Sequence, residues 1–465
     1  VRDNAAVTPI AIIGGGPGGY EAALVAARLG AEVTLVERAG AGGSAVLTDC
    51  VPSKTLVATA EVMTVLAGSA ELGVRLGSGA AVGVDLAAVN ARVRRLALAQ
   101  SVDILAQLDR AGVRWVDATG RLDRGAVIAE GADGRTERIE AATVLVATGA
   151  HPRVLPEAMP DGERILSWEQ VYDLQEVPAR LVVVGSGVTG AEFASAYLAL
   201  GSQVVLVSSR DRVLPGEDPD AAQVLEDVFR RRGMQVLSKT RARTVRRVGD
   251  GVVVDLADGG TVEGSHALMA VGSVPNTAGI GLEEAGVTLG PGGFVEVDRV
   301  SRTTARGVYA AGDCTGVLML ASVAAMQGRI AIWHALGDAV RPLDLKTVSS
   351  NVFTDPEIAT VGVTQADVDR GDLVAYAVKL PLATNARAKM QGLVDGFVKL
   401  FALPGQHTIV GGVVVAPRAS ELVFPVAVAI EQRLTMDELA HTFTVYPSLS
   451  GSIAEAAARL HGPVG

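Results

Sequence analysis

The chain of 465 residues is too long for one ordinary core, so roughly two to four domains are expected. A hydrophobic fraction of 49% with only 4% aromatics excludes disorder and points to an α/β protein packed from small aliphatic side chains. The formal net charge of −10 argues against nucleic acid or an anionic membrane surface as a partner.

No stretch of about 18 apolar residues runs without a glycine or a charge, so no membrane insertion is expected. Two cysteines in a chain of this size leave no disulfide framework. Val1-Arg2-Asp3-Asn4 leads almost directly into an apolar strand, an arrangement with no room for a signal peptide. Together these features set the expectation of a cytoplasmic protein.

The first strand, Ile10-Ala11-Ile12-Ile13, runs into Gly14-Gly15-Gly16-Pro17-Gly18-Gly19, a G-x-G-x-x-G turn. Glu21 through Leu29 reads as the helix behind it, with Ala22, Ala23, Ala26 and Ala27 forming a thin face that can approach a sheet closely. Ala31 to Val36 reads as a second strand, with Glu37 at its C-terminal end. Such a turn alone is weak evidence; strand, turn, helix and terminal acid in this order make a dinucleotide-binding unit. Gly14 permits the tight turn, Gly16 lets the backbone reach a pyrophosphate, and Gly19 lets helix and strand pack. Glu37 can accept hydrogen bonds from both ribose hydroxyls.

Farther along stands Gly42-Gly43-Ser44-Ala45-Val46-Leu47-Thr48-Asp49-Cys50-Val51-Pro52-Ser53-Lys54. Lys54 is one of six lysines against 35 arginines, so this chain generally prefers arginine for positive charge. Ala142 to Gly149 reads as a buried strand ending in the small-residue turn Ala147-Thr148-Gly149. The glycine unit then returns as Leu181-Val182-Val183-Val184-Gly185-Ser186-Gly187-Val188-Thr189-Gly190-Ala191-Glu192, followed by a helix and the strand Gln203 to Val207.

The two units differ at the end of the second strand. Where the first has Glu37, the second has Ser208, then Ser209, Arg210 and Arg212. A carboxylate there repels a 2′-phosphate, whereas hydroxyls and a guanidinium can bind one. The second unit is therefore expected to accept NADPH without excluding NADH, unless the arginines merely point into solvent. Later segments are Val271-Gly272-Ser273-Val274-Pro275-Asn276-Thr277, the strand Gly307 to Ala310 ending near Gly312-Asp313, and Leu320-Ala321-Ser322 opening another helix. The last of the chain holds Val352 to Gly362, Gly396 to Leu400, Ala419 to Leu422, and Tyr446-Pro447-Ser448-Leu449-Ser450-Gly451.

In order and spacing these segments resemble the flavin-dependent, lipoamide dehydrogenase-like pyridine nucleotide-disulfide oxidoreductases over essentially the whole chain. Within that family the chain is similar to the bacterial NAD(P)H:quinone reductase subgroup. The resemblance implies an α/β fold of two Rossmann-like dinucleotide-binding domains, for FAD and NAD(P), plus a C-terminal α+β dimerisation domain. It implies an FAD domain at 1–150 and 276–345, an NAD(P) domain at 151–275 and an interface domain at 346–465. On this resemblance FAD takes Gly14, Gly16, Pro17, Gly18, Gly19, Glu37, Arg38, Ser44, Gly120, Ala147, Thr148, Gly149, Asp313, Leu320, Ala321 and Ser322. NAD(P)H takes Gly185, Gly187, Val188, Thr189, Gly190, Ser208, Ser209 and Arg210, and Gly272 joins the cofactor-contacting set. The arginine usual in the family after that glycine is Ser273 here. Lys54 and Glu192 correspond to an ion pair beside flavin N5, and both also belong to the cofactor set; otherwise they read as a solvated helix residue and a favourable charge at a helix start.

Two departures decide the expected chemistry. The family's redox segment has two cysteines with four residues between them, and here the first is Ala45, so only the second, Cys50, is present. The family's acid/base His and Glu are replaced by Tyr446 and Gly451, and neither His441 nor Glu455 aligns to replace them. A dithiol needs two thiols, and Tyr and Gly cannot serve as a His–Glu relay at neutral pH. Cys50 reads as a bystander or as a thiolate able to form a sulfenic acid; hydride transfer needs no thiol, which favours the first. Cys314 reads as structural. Tyr446 either lines the acceptor site from the other subunit or packs in a dimer core.

The expected activity is a ping-pong FAD enzyme that takes hydride from NAD(P)H and reduces a small-molecule quinone, as a homodimer, with no disulfide reduction and no metal. The alternatives are a soluble pyridine nucleotide transhydrogenase, a single-cysteine peroxidase or oxidase, and a non-catalytic subunit of a dehydrogenase complex.

Overall fold

The structure is a computed structural model, and it describes residues 8–75 and 82–460. The N-terminal residues on which the signal-peptide expectation rests lie outside the described residues.

In chain order, β1 (Pro9–Ile13) enters the first glycine turn, followed by α1 (Pro17–Arg28) and β2 (Glu32–Glu37). Helices α2 (Gly43–Leu47), α3 (Cys50–Gly68) and α4 (Leu86–Arg110) lead to β3 (Arg114–Asp117). An antiparallel meander of β4 (Thr119–Asp123), β5 (Ala126–Glu130) and β6 (Thr136–Glu140) precedes β7 (Thr143–Val146) and β8 (Ala150–Pro152). The next set is β9 (Ile165–Ser167), β10 (Arg180–Val184), α5 (Val188–Ala199), β11 (Gln203–Val207), α6 (Pro219–Arg231) and β12 (Gln235–Leu237). A second meander, β13 (Ala242–Val248), β14 (Gly251–Leu256) and β15 (Thr261–Gly264), precedes β16 (His266–Met269) and β17 (Ser273–Pro275). Then come β18 (Val308–Ala310), α7 (Ala321–Ala335) and the strands β19 (Ser349–Val352), β20 (Glu357–Gly362), β21 (Tyr376–Pro381), β22 (Phe397–Ala402) and β23 (Ile409–Ala416).

The chain divides into two compact units, one of residues 1–55, 91–153 and 272–344, the other of 56–90, 154–271 and 345–465. In the first, a parallel sheet runs in the order β18-β7-β1-β2-β3. β1 is buried on both faces, which is why it reads as an unbroken apolar run. Ile10 and Ile12 pack with Ala22, Ala23 and Ala26 of α1 and with Ile104 and Leu108 of α4. Ala11 and Ile13 face the other way, onto Leu122, Val127 and Ile139 of the meander. The alanine face anticipated in α1 is therefore used: Gly328 of α7 comes so close to it that a Cβ there would lie 2.1 Å from the Gly18 carbonyl oxygen.

The second unit contains a sheet that repeats the first. Its order β9-β16-β10-β11-β12 matches β18-β7-β1-β2-β3 position by position, all parallel, and each sheet has its own three-stranded meander. The glycine units are thus parts of a longer structural duplication. The same unit holds an antiparallel sheet β19-β20-β23-β22-β21, covered by helices at Phe424–Glu431 and Gly451–Leu460 around Leu380, Leu400, Val414, Val426 and Ala456. The architecture is the expected mixed α/β fold. Among the described residues one helical stretch, Gly43–Gly68, is long and apolar enough to cross a membrane by length and composition, with mean hydropathy 1.2. It carries Asp49, Lys54 and Glu61, the charges that interrupt it in the sequence.

Candidate active site

The two glycine turns are built alike. Gly14 has φ 106° and Gly185 φ 114°, the left-handed region that side chains avoid. A Cβ on Gly14 would stand 2.2 Å from the Ala147 carbonyl oxygen, and one on Gly185 2.1 Å from that of Ala270. A Cβ on Gly19 would reach 1.8 Å from Gly14 O, and one on Gly190 1.9 Å from Gly185 O, so helix and strand meet only because both lack side chains. Gly16 and Gly187, by contrast, have nothing within 4 Å of a Cβ position. Each is the residue before its helix, in extended backbone and without a side-chain cap, so the first N–H groups of α1 and α5 stay available to an anion. Pro17 and Gly18 open α1, and Val188 and Thr189 open α5.

Around the first turn the chain closes a cradle. The Gly42 N–H donates to Gly15 O at 2.8 Å, and Gly43 lies so near that its Cβ would be 2.8 Å from Gly16 Cα. Ser44 follows in α2. The Glu37 carboxylate accepts from the N–H groups of Gly15 at 2.6 Å, Arg38 at 2.8 Å and Ala39 at 2.7 Å. A cleft of about 250 Å³ opens beside it, lined by Gly14, Glu37, Arg38, Gly120 and Thr148 among others. Gly120 is required there, since a Cβ would be 2.8 Å from Ile13 Cγ2.

Sequence reasoning missed the opposite wall of this cleft. His151 Nδ1 is 2.6 Å from Asn276 Oδ1, and Asn276 Nδ2 donates to the Thr148 carbonyl at 2.9 Å. Asn276 lay within a segment singled out by resemblance, but nothing in the sequence marked His151.

Beyond β18, the Gly312 N–H donates to Gln327 Oε1 at 2.8 Å, so α7 holds the Gly-Asp turn from a fully buried amide. Burial pushes the Asp313 carboxyl above its usual range, a cost that hydroxyl donors from a bound ribityl chain would offset. Leu320 precedes α7 in extended backbone with no side-chain cap, and Ala321 and Ser322 form the first turn. The Cys314 thiol is fully buried, donates to Ala311 O at 3.3 Å, and is pushed up to about 11 by that burial. An open glycine face, two uncapped helix starts and two carboxylates suit FAD.

In the second cleft Ser208 follows directly on β11. Ser208 is fully buried, its Oγ 2.7 Å from Ser186 Oγ, and it accepts from the Arg210 N–H at 3.1 Å. Its hydroxyl is therefore committed to shaping the turn. Ser209 and Arg210 are exposed just beyond it, and Arg212 keeps a buried Nε without a hydrogen-bond partner. Gly272 has φ 93° and accepts from the Arg153 N–H at 2.9 Å through its carbonyl.

Lys54 and Cys50 lie in the first unit, on α3, both partly buried. Glu192 and Tyr446 lie in the second. Glu192 is 5% exposed and sits one turn into α5, which removes the reading of a simple charge at a helix start. Its Oε1 accepts from the Phe353 N–H at 2.9 Å, and Ser195 Oγ accepts from Asp355 N–H at 3.2 Å, so α5 anchors the chain leaving β19. Tyr446 is 86% exposed, and Phe443 and Val445 close to it in sequence are exposed as well.

Residues 8–328 match the family model for pyridine nucleotide-disulphide oxidoreductase, and 348–457 match that family's dimerisation domain. An "NAD(P)H dehydrogenase (quinone)" of Mycobacterium tuberculosis is 56% identical over 98% of this chain and 94% of its own length. A dihydrolipoyl dehydrogenase of Chlorobaculum tepidum is 34% identical over 97% of each chain. The crystal structure of LpdA from Mycobacterium tuberculosis superposes with a TM-score of 0.94 at 55% identity, covering 98% of this chain and 100% of that one. The cradle geometry and these matches lead to one conclusion: the chain belongs to the pyridine nucleotide-disulphide oxidoreductases, a family that uses FAD and NAD(P)H.

Proposed function

We propose that the chain is an FAD-dependent NAD(P)H:quinone oxidoreductase, a cytoplasmic homodimer without disulfide reductase activity. One observation carries the proposal: both dinucleotide turns are intact, while Ala45 leaves the redox segment a single cysteine. The relative that shares 56% identity bears the corresponding name.

On this reading residues 1–150 and 276–345 hold FAD, 151–275 hold NAD(P)H, and 346–465 pair the subunits. FAD, when bound, supplies the carrier that takes a hydride from NAD(P)H and passes the electrons to the acceptor. The N–H groups at the start of α1 and the Gly42–Ser44 backbone cradle its pyrophosphate, Glu37 fixes a ribose, and Asp313 takes the ribityl hydroxyls. Gly185, Gly187 and Gly190 let the second pyrophosphate approach, with Ser208, Ser209 and Arg210 around the 2′ position. Lys54 is the candidate compact ammonium that favours electron density on the reduced ring, and Glu192 is the second candidate catalytic charge. With Tyr446 and Gly451 in place of an acid/base relay, a planar quinone suits the site, because its oxygens can draw protons from water. Tyr446 lines that acceptor site as a contribution from the other subunit of the dimer.

A steady-state screen of the holoenzyme tests the proposal. Naphthoquinone reduction with NADPH or NADH, and no turnover of dihydrolipoamide or glutathione disulfide, is the expected result. Robust disulfide turnover overturns it. Hydride exchange between NADPH and an NAD analogue at a rival rate transfers the assignment to a transhydrogenase.

A further inference from the structure

The structural duplication allows the two turns to be compared residue by residue, and one pair differs in a coupled way. In the first turn, position 15 is glycine and position 37 is glutamate. A Cβ on Gly15 would lie 2.9 Å from Glu37 Cγ and 3.2 Å from its Cβ, so the acid fits only because residue 15 has no side chain. The Gly15 N–H then donates straight to Glu37 Oε2 at 2.6 Å.

In the second turn the corresponding residues are Ser186 and Ser208. The turns are otherwise equivalent: Gly42 N–H donates to Gly15 O at 2.8 Å in one, and Leu214 N–H to Ser186 O at 2.9 Å in the other. Ser186 is buried, and its hydroxyl stands 2.7 Å from that of Ser208. The Ser208 hydroxyl in turn accepts from the Arg210 N–H at 3.1 Å and lies 3.3 Å from the Arg210 carbonyl oxygen. The space a glutamate needs is filled by a side chain at 186, and the polar atoms that replace the acid tie the loop leading to Arg210.

We infer that Ser186 is a specificity-determining positioning residue of the second cleft. Its side chain excludes a carboxylate at position 208 and, through Ser208, holds the 209–212 loop, so the ribose floor stays uncharged and admits a 2′-phosphate. The inference rests on the reading of this cleft as the NAD(P)H site and adds the residue that sets its tolerance. Positions 186 and 208 therefore work as a pair: glutamate can replace Ser208 only where glycine also replaces Ser186.

The test is a double-mutant cycle on the holoenzyme with Ser186→Gly, Ser208→Glu and both together, each titrated calorimetrically with 2′,5′-ADP and with 5′-AMP. In the double variant, 2′,5′-ADP binding falls about 50-fold or more through like-charge repulsion, while 5′-AMP stays within about threefold of wild type. Ser208→Glu alone loses both probes about tenfold or more, or fails to fold, because the acid meets the Ser186 side chain; the double variant recovers folding and 5′-AMP binding. Equal losses of 5′-AMP in Ser208→Glu and the double variant overturn the coupling. A wild type that binds 5′-AMP but not 2′,5′-ADP contradicts the NADPH assignment instead, and the 5′-AMP arm still decides the coupling. The reciprocal change Gly15→Ser lowers FAD affinity of the apoprotein about tenfold or more on the same steric ground; unaltered FAD binding also overturns the inference.

Discussion

Glu37→Gln perturbs the first cleft with almost no change of shape, and its cost can be worked from the hydrogen bonds. The carboxylate accepts from three main-chain N–H groups, those of Gly15, Arg38 and Ala39, at 2.6–2.8 Å. An amide can keep its oxygen toward Arg38 and Ala39, but its NH₂ then faces the Gly15 N–H. Stranding that donor costs about 1–3 kcal/mol, and turning two charge-assisted bonds into neutral ones costs about 0.5–1 kcal/mol each. The sum is about 2–5 kcal/mol, of which some falls on the turn whether or not a ligand is present. A neutral oxygen is also the weaker acceptor for ribose hydroxyls. Flavin dissociation from the apoprotein, read by FAD fluorescence quenching, should weaken about 30-fold or more, which is about 2 kcal/mol. Binding of 2′,5′-ADP should not move, because the second turn has its own floor. An FAD affinity within about threefold of wild type would refute the assignment of Glu37 as the ribose-binding acid.

Lys399, 5% exposed, pairs with Asp218 at 2.9 Å and Asp220 at 2.8 Å; Lys399→Ala strands a buried carboxylate, costs about 3–5 kcal/mol and lowers the melting temperature roughly 6–20 °C. A shift below about 2 °C contradicts that burial. Burial, helped by the Arg164 guanidinium, pulls His266 from 6.5 down to about 4. The unfolded chain then binds a proton the folded one refuses, so stability falls as pH drops from about 6.5 to 4, and His266→Gln flattens that slope; identical melting profiles across this window refute the shift. Cys50→Ser should leave naphthoquinone reduction within about threefold of wild type, whereas loss of most turnover assigns the thiol a role in the cycle.

The sequence made the strands legible wherever both faces are covered. Ile10–Ile13 and Leu181–Val184 read as buried runs, and the observed β1 and β10 start one residue earlier in each case. Helix α1 begins at Pro17, earlier than its alanine face suggests, because Gly18 and Gly19 are needed for packing rather than as breakers. The meanders β4–β6 and β13–β15 were illegible, since their short strands carry charges such as Arg138 and Arg246 on an exposed face. So was the fate of Ser208: its chemistry was readable, but its orientation is set by Ser186, 22 residues away. Glu192 meets Phe353 across 161 residues, and His151 meets Asn276 across 125, separations at which no local pattern survives.

The central claim is that the flavin is the sole electron store in each chain, since with Ala45 the redox segment carries one cysteine where a dithiol needs two. Anaerobic titration of the yellow holoenzyme with NADPH, followed by flavin absorbance, measures that store directly. The account predicts complete reduction by one equivalent per chain. Uptake of a second equivalent, as a flavin plus a dithiol would require, contradicts it.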